Sequence, residues 1–265
     1  MFKELKALDR IQHRALRLAP DQPYHFAAGL MVCPIMAGEV AQVARDYPIV
    51  FSRSANGLPM ALLGVRQDVN AYVTPDGVWT ARYIPVHVRR YPFMLSDSAT
   101  PGGEGGERAF TVMFDSAAPH LAGLAGAPLF NPAGEPTALL QGVQKLLMTL
   151  QRDTVATEKL VQQIDAAGLL VERSLKGQPK NGKPFALEGL RMVDTQKLAE
   201  CAPETLQELV KSGAMRLVYA HLLSMVNLQD GPLMQSNDRK PAAAQAPAEQ
   251  AAAQMGDTIS FAGLR

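Results

Sequence analysis

The sequence predicts an α+β protein: an antiparallel sheet meander with packed helices in the N-terminal half, then a helical C-terminal part. Between residues 48 and 114, short β-type runs alternate with tight turns, which join antiparallel strands because parallel strands need long crossovers. From residue 137 onward, apolar residues recur at helical spacing. The 265 residues, 47% hydrophobic and 19% charged, suit one large or two small globular domains.

The first segment, residues 1–20, is predicted to be a basic amphipathic helix. Leu5, Leu8 and Ile11 recur at helical spacing. From residue 2 to residue 18, five basic residues face two acidic ones, a balance of 5 − 2 = +3. Such a helix lies either on a membrane surface or against the protein's own body with its charges in water. Acids on the polar face and the lack of Trp on the apolar face favour the second arrangement.

The meander is predicted from short runs bounded by turn residues. Asn56-Gly57 and Pro75-Asp76-Gly77 are turn signals. The predicted strands cover residues 24–35, 48–51, 60–65, 70–73, 78–81, 93–95 and 109–114. Helices are predicted over residues 36–46 and 85–91, the second because proline suits the first helical turn.

The C-terminal part is predicted from caps and stop signals. Thr137 can cap a long helix that reaches about residue 167, where Gly168 ends it. Strands follow over residues 169–175 and 185–193. Three further helices are predicted, over residues 194–201, 203–213 and 214–230. Together these elements define a body at residues 21–233.

Residues 234–265 are predicted to form a disordered tail. The segment is rich in Ala, Gln and Pro, with too little apolar bulk to offset the entropy of ordering. Its tip regains Ile259, Phe261 and Leu264, and the alternation of the first two predicts docking as an extended strand on a sheet edge. The alternative is an ordinary frayed terminus.

Charge and hydropathy argue against some classes of partner. The chain has 26 Lys and Arg against 25 Asp and Glu, whereas a nucleic-acid binder usually has a basic excess. No apolar segment reaches the roughly 20 residues needed to span a bilayer. The N-terminus lacks the apolar core of a secretory signal. We therefore expect a soluble, cytoplasmic protein with no nucleic acid and no membrane span. Signal-less export and oligomeric state stay open.

The sequence holds no familiar catalytic or metal motif. Cys-x-x-Cys, His-Glu-x-x-His and Gly-x-Ser-x-Gly are all absent, and the two cysteines, Cys33 and Cys201, lie far apart. The Gly-rich stretch at residues 101–107 leads into a strand and lacks the lysine of a phosphate loop. We therefore predict no metal, no cofactor and no catalytic residue, although distant residues could still assemble a triad.

One cluster of side chains is typical of binding surfaces. Arginine offers a planar fork to carboxylate or phosphate, tyrosine adds stacking surface, and tryptophan is common at interface hot spots. The predicted binding residues are Trp79, Arg82, Tyr83, Arg89, Arg90 and Tyr91. The competing interpretation is that Trp79 packs in the core and the arginines cover apolar surface, with their heads in water or paired to acids such as Asp46.

Four strings resemble the SapC family of bacterial proteins: ARDYPIVF at residues 44–51, PMALLGV at 59–65, DGVWTARYIPVHVRRYPF at 76–93 and SGAMRLVYAHLLSMVNL at 212–228. The resemblance runs from about Pro34 to Asp230. It implies an association with paracrystalline surface layers. Proteins of this kind also occur beside outer-membrane receptors, cupin-like oxygenases and flavin-dependent halogenases. The resemblance implies no catalytic residues.

Residues and resemblance together predict a non-catalytic binding or adaptor protein that recognises a peptide or protein partner. Two alternatives remain. One is an enzyme, or an enzyme accessory, that acts with an oxygenase or halogenase. The other is a structural protein of a surface layer or phage particle.

Overall fold

The computed structural model describes residues 1–19, 22–53, 57–98, 109–121, 126–179 and 183–235. The described strands are β1 Leu5–Ala7, β2 Arg17–Leu18, β3 Val32–Pro34, β4 Ile49–Ser52, β5 Pro59–Leu62, β6 Phe93–Ser98, β7 Ala109–Asp115, β8 Ala127–Pro128, β9 Leu170–Gly177 and β10 Phe185–Val193. The described α-helices are α1 Val40–Val43, α2 Val86–Arg89, α3 Ala138–Ala166, α4 Thr195–Ala199, α5 Pro203–Ser212, α6 Ala214–Ser224, α7 Asn227–Asp230 and α8 Pro232–Gln235. Short 3₁₀ helices occupy Tyr24–Ala27 and Pro119–Leu121.

These elements confirm the α+β class. The described residues divide into two compact units. The first unit takes its residues from Met1–Gln22 and Arg90–Thr149, and the second from Pro23–Arg89 and 150–235. The long helix α3 contributes residues to both.

The first unit contains an antiparallel sheet in the order β1-β7-β6 and a separate pair formed by β2 and β8. In the sheet, Leu5 is opposite Asp115 and Phe93 is opposite Phe114. Phe93 and Phe114 are both buried. Central β7 therefore anchors the short strand β1 on one side and β6 on the other.

The second unit is built on a five-stranded antiparallel sheet in the order β3-β5-β4-β10-β9. β4 is central, and its residues Ile49, Val50 and Phe51 are all buried in the hydrophobic core of this unit. α6 is attached to β4 by polar groups as well as by packing, since His221 and Ser224 both contact the backbone of Ile49.

Local signals account for several helix boundaries in this unit. The Asp194 side chain accepts hydrogen bonds from the backbone N–H groups of Gln196 and Lys197 and so caps α4. Pro203 is the first residue of α5. Gly213 has a φ of 88°, a left-handed conformation that suits glycine, and it separates α5 from α6.

The helix predicted over residues 1–20 is wrong. Leu5–Ala7 is an extended strand paired with β7, and Ile11, assigned to the apolar helical face, is 78% exposed. The Asp9 carboxylate accepts the backbone N–H groups of Ile11 and Gln12 at 2.8 and 2.7 Å, which favours a turn there. Pairing with a distant strand therefore overrides a local helical pattern.

The meander also differs in detail. The strands predicted at residues 93–95 and 109–114 belong to the sheet of the first unit, whereas β4 and β5 belong to the second. Residues 70–73 and 78–81 form only an isolated bridge between Val73 and Trp79. The Asn70 side chain accepts the N–H of Tyr72 and donates to the carbonyl of Ala27, and these local bonds compete with a regular ladder.

Three other predicted elements are shorter than expected. Only Val32–Pro34 of the strand predicted at 24–35 is extended, and α1 covers only Val40–Val43 of the helix predicted at 36–46. α6 ends at Ser224, and residues 227–230 of the helix predicted over 214–230 form the separate short helix α7. The Ser224 hydroxyl donates to the carbonyl of His221, a local bond that competes with a continuous helix.

Candidate binding surface

Trp79 holds the segment that leads to α2 against the core of the second unit. It is only 8% exposed, and its indole Nε1 donates to the hydroxyl of Tyr47 at 2.7 Å. Its ring also packs edge-on against Tyr24 at 5.6 Å between centroids. The structure thus places Trp79 as a packing residue, and its contact with a partner stays a prediction.

Asp46 fixes the next residues of this segment. Its carboxylate accepts the backbone N–H groups of Arg82 and Tyr83 at 3.1 and 3.3 Å. It also lies 3.6 Å from the Arg82 side-chain Nε, in an ion pair in which the Arg82 side chain is 72% exposed. Asp46 therefore positions Arg82 while the Arg82 guanidinium stays at the surface. This agrees with the competing interpretation of the sequence, in which an arginine pairs with Asp46.

Glu39 is the buried acid beneath the surface, with only 6% of its area exposed. Its two oxygens accept three hydrogen bonds, from the backbone N–H of Met36 at 3.0 Å, from that of Val86 at 2.9 Å and from the Tyr83 hydroxyl at 2.8 Å. Burial raises the pKa of Glu39, and these hydrogen bonds oppose that rise. The carboxyl group links α2 to the turn before α1.

Tyr83 and Arg89 complete the arrangement. The Tyr83 hydroxyl donates to Glu39, and it accepts a hydrogen bond from Nη2 of Arg89 at 3.0 Å. Arg89 Nε donates to the carbonyl of Ile84 at 2.9 Å, and its guanidinium carbon lies 5.4 Å from the centre of the Tyr83 ring. Burial, followed by the nearby Glu39 carboxylate, raises the pKa of Tyr83 to about 12, so the hydroxyl keeps its proton at neutral pH.

Arg82, Tyr83 and Arg89 are the predicted residues that the structure brings together at the surface, and we call them the Arg–Tyr surface. Arg82 and Arg89 are exposed and Tyr83 is half-buried. No ion pair of Arg89 is found in the part of the chain that the structure describes.

Arg90 and Tyr91 lie in the first unit and are buried, at 9% and 7% exposure. The Arg90 guanidinium stacks over the ring of Phe2 at 5.5 Å, and the Tyr91 hydroxyl donates to Asp115 at 3.0 Å. Both side chains therefore hold the first unit together, and their role in binding stays a prediction.

Sequence reasoning missed Glu39. A single acid in the otherwise apolar stretch at residues 36–40 is an available signal, because a buried carboxylate needs several donors and so marks a polar network. The predicted docking residues Ile259, Phe261 and Leu264 lie outside the described residues, as does the Gly-rich stretch at 101–107.

Among the described residues, no group of three or more His, Cys, Asp or Glu side chains is placed to hold a metal ion. Among the same residues, no helix is both long enough and apolar enough to cross a membrane.

Replacing Trp79 by Phe should lower the free energy of unfolding by about 1–3 kcal/mol, because the Tyr47 hydroxyl loses its indole donor and the core loses volume. Chemical denaturation measures the change. Tyr219→Phe is the control, since Tyr219 is 55% exposed. If Trp79→Phe shifts stability no more than this control, Trp79 does not have the packing role that the structure gives it.

The comparisons with known proteins agree with the resemblance. The family model SapC matches residues 8–230 of the chain. This protein therefore belongs to the SapC family. No curated protein and no solved structure matches it.

Proposed function

We propose that this SapC-family protein is a non-catalytic binding or adaptor protein that recognises a protein or peptide partner at the Arg–Tyr surface. The observation that carries the proposal is the state of Arg89. Two hydrogen bonds fix its guanidinium, yet it is exposed and forms no ion pair within the described residues. A side chain fixed in advance loses less entropy on binding than a mobile one.

A second feature favours a macromolecular partner over a small anion. Three large apolar side chains of α6 and the turn after it are exposed at helical spacing, and we call them the α6 stripe: Tyr219 at 55%, Leu223 at 71% and Val226 at 58%. Scattered apolar residues are ordinary at a surface, but an aligned set is typical of protein contacts.

The α6 stripe and the Arg–Tyr surface are connected through one turn. The side chain of Asn227, next to Val226, donates to the carbonyl of Ala44 at 2.9 Å. Asp46, two residues after Ala44 in the chain, pairs with Arg82. Arginine, tyrosine and large apolar side chains are all common in interface cores. The setting implied by the resemblance, a surface-layer or outer-membrane receptor system, is where we expect the partner.

The test is affinity capture from the native cell, followed by mass spectrometry. We expect the wild-type chain to recover a defined partner and the double variant Arg82→Ala/Arg89→Ala to lose it, with little change in melting temperature because both side chains are exposed. Leu223→Ser reports on the α6 stripe. Arg53→Ala is the matched control, since it removes an arginine whose side chain is 70% exposed and which pairs with exposed Glu172.

Three results would contradict the proposal. Undiminished recovery by the double variant would place the contact elsewhere. Capture of an oxygenase or halogenase whose activity depends on this chain would favour an enzyme accessory. Capture of the chain itself in large assemblies would favour a structural particle protein.

A further inference from the structure

The two edges of the Arg89 guanidinium are used differently. Nε and Nη2 lie on one edge of the planar fork, and these atoms hold the side chain in place through Ile84 and Tyr83. The opposite edge, formed by Nη1 and the second N–H of Nη2, takes part in neither of these bonds. Arg89 is exposed, so this outer edge can meet a ligand. Two parallel N–H donors on one edge match the two oxygens of an anion.

Tyr83 and the buried Glu39 fix the orientation of the Arg89 side chain. The Tyr83 hydroxyl donates a hydrogen bond to the buried Glu39 carboxylate, so its oxygen accepts one from Arg89. Glu39 is held in turn by the backbone of Met36 and Val86. This chain of contacts fixes the plane of the guanidinium before any ligand arrives, which lowers the entropy lost on binding.

The local charge balance selects the kind of anion. Arg82 pairs with Asp46, and Arg89 is linked to Glu39 through the Tyr83 hydroxyl, so two positive charges are matched by two carboxyl groups. A surface that is nearly neutral on this scale has little attraction for a polyanion such as nucleic acid or for a doubly charged phosphate. A single carboxylate needs only the geometry that the outer edge supplies.

We infer that the outer edge of Arg89 binds one carboxylate group of the partner in a bidentate pair. This inference rests on the proposed function and names the chemical group that the Arg–Tyr surface recognises. The carboxylate comes either from an acidic side chain or from a peptide C-terminus, because both present the same two oxygens.

The experiment follows the Arg89 Nε–H signal in ¹⁵N–¹H spectra of the full chain, assigned by its loss in Arg89→Lys. Sodium acetate, inorganic phosphate and sodium chloride are titrated at equal ionic strength and neutral pH. Two peptides follow: one has an internal Asp and an amidated C-terminus, and the other has a free C-terminus and no acidic side chain. We expect a saturable shift with acetate and a weaker one with phosphate. The peptide that binds identifies the source of the carboxylate.

Variants test the orientation. Tyr83→Phe removes one anchor of the guanidinium, so we expect at least a severalfold weaker response to acetate, whereas Arg53→Ala leaves the response unchanged. The inference is overturned if acetate shifts the Arg89 Nε–H signal no more than chloride does. It is also overturned if phosphate binds at least as tightly as acetate binds. In either case, loss of partner capture by the Arg82→Ala/Arg89→Ala variant would still support the proposed function, so the two failures are distinguishable.

Discussion

Replacing Asp115 by Asn should destabilise the first unit by about 3–5 kcal/mol, because two of the four donors to this buried side chain would face an amide nitrogen. Asp115 is fully buried. One carboxylate oxygen accepts hydrogen bonds from the backbone N–H of Lys3 at 2.9 Å and from the hydroxyl of Tyr91 at 3.0 Å. The other accepts from the backbone N–H groups of Glu4 and Ala117 at 2.9 and 3.1 Å. An amide offers one accepting oxygen, so half of these bonds are lost whichever way it is turned.

Thermal and chemical denaturation measure this effect. Asp76→Asn is the matched control, since Asp76 is exposed in a turn. Tyr91→Phe, which removes one of the four donors, should cost about 1–2 kcal/mol. If Asp115→Asn changes stability as little as Asp76→Asn, the carboxylate does not anchor the strand β1 to β7.

Replacing His221 by Phe should lower the free energy of unfolding of the second unit by about 2–4 kcal/mol. His221 is 1% exposed, its Nδ1 lies 2.6 Å from the carbonyl of Ile49, and its Nε2 accepts the backbone N–H of Val193 at 3.2 Å. The ring therefore carries its proton on Nδ1 and joins β4 to β10. Phenylalanine fills similar space but leaves both backbone groups without this partner.

His221 also predicts a dependence on pH. Burial lowers the pKa of His221 below its usual value of 6.5, an effect that its hydrogen bond to Ile49 partly opposes. The unfolded chain therefore takes up a proton first as the pH falls. The contribution of His221 is complete above about pH 6.5 and decreases below it.

We expect wild type to lose more stability than His221→Phe between pH 7.5 and pH 5.5, so that the difference between them narrows. Denaturant midpoints at both pH values measure this, with His25→Ala as a control at an exposed histidine. If the difference in stability between wild type and His221→Phe is the same at both pH values, the pKa of His221 is not lowered in the folded protein.

The sequence predicts the elements of this fold where local signals decide them. Gly168, Pro203 and Gly213 mark helix boundaries close to where the structure has them. The strands β4 and β5, on either side of Asn56-Gly57, are paired antiparallel as expected. Local turn chemistry and helical periodicity are sufficient for these elements.

The prediction from sequence is wrong where residues far away in the chain determine the secondary structure. The amphipathic pattern of the first residues predicts a helix, but pairing with β7 and the bonds from Lys3 and Glu4 to Asp115 stabilise a strand. The local sequence around Lys3 and Glu4 gives no sign that they bind Asp115, which is more than a hundred positions further along the chain. The division of the predicted meander into two sheets has the same origin.

The candidate site shows the same limit. Residue type alone points to Arg82, Tyr83 and Arg89, but it points equally to Arg90, Tyr91 and Trp79, which the structure buries. Adjacent residues such as Arg89 and Arg90 differ in exposure because the surrounding fold, and not their chemistry, determines it. Glu39 becomes visible only through the hydrogen bonds that converge on it.

The most direct test of the central claim, binding at the Arg–Tyr surface, is the dissociation constant of the captured partner for wild type, Arg89→Lys, Arg89→Ala and Arg53→Ala, measured by calorimetry. A charge-assisted pair at Arg89 predicts roughly a tenfold to hundredfold loss for Arg89→Ala. Lysine keeps the charge without the planar fork, so Arg89→Lys should recover only part of the affinity. Arg53→Ala should match wild type. Equal dissociation constants for wild type and Arg89→Ala would contradict the claim.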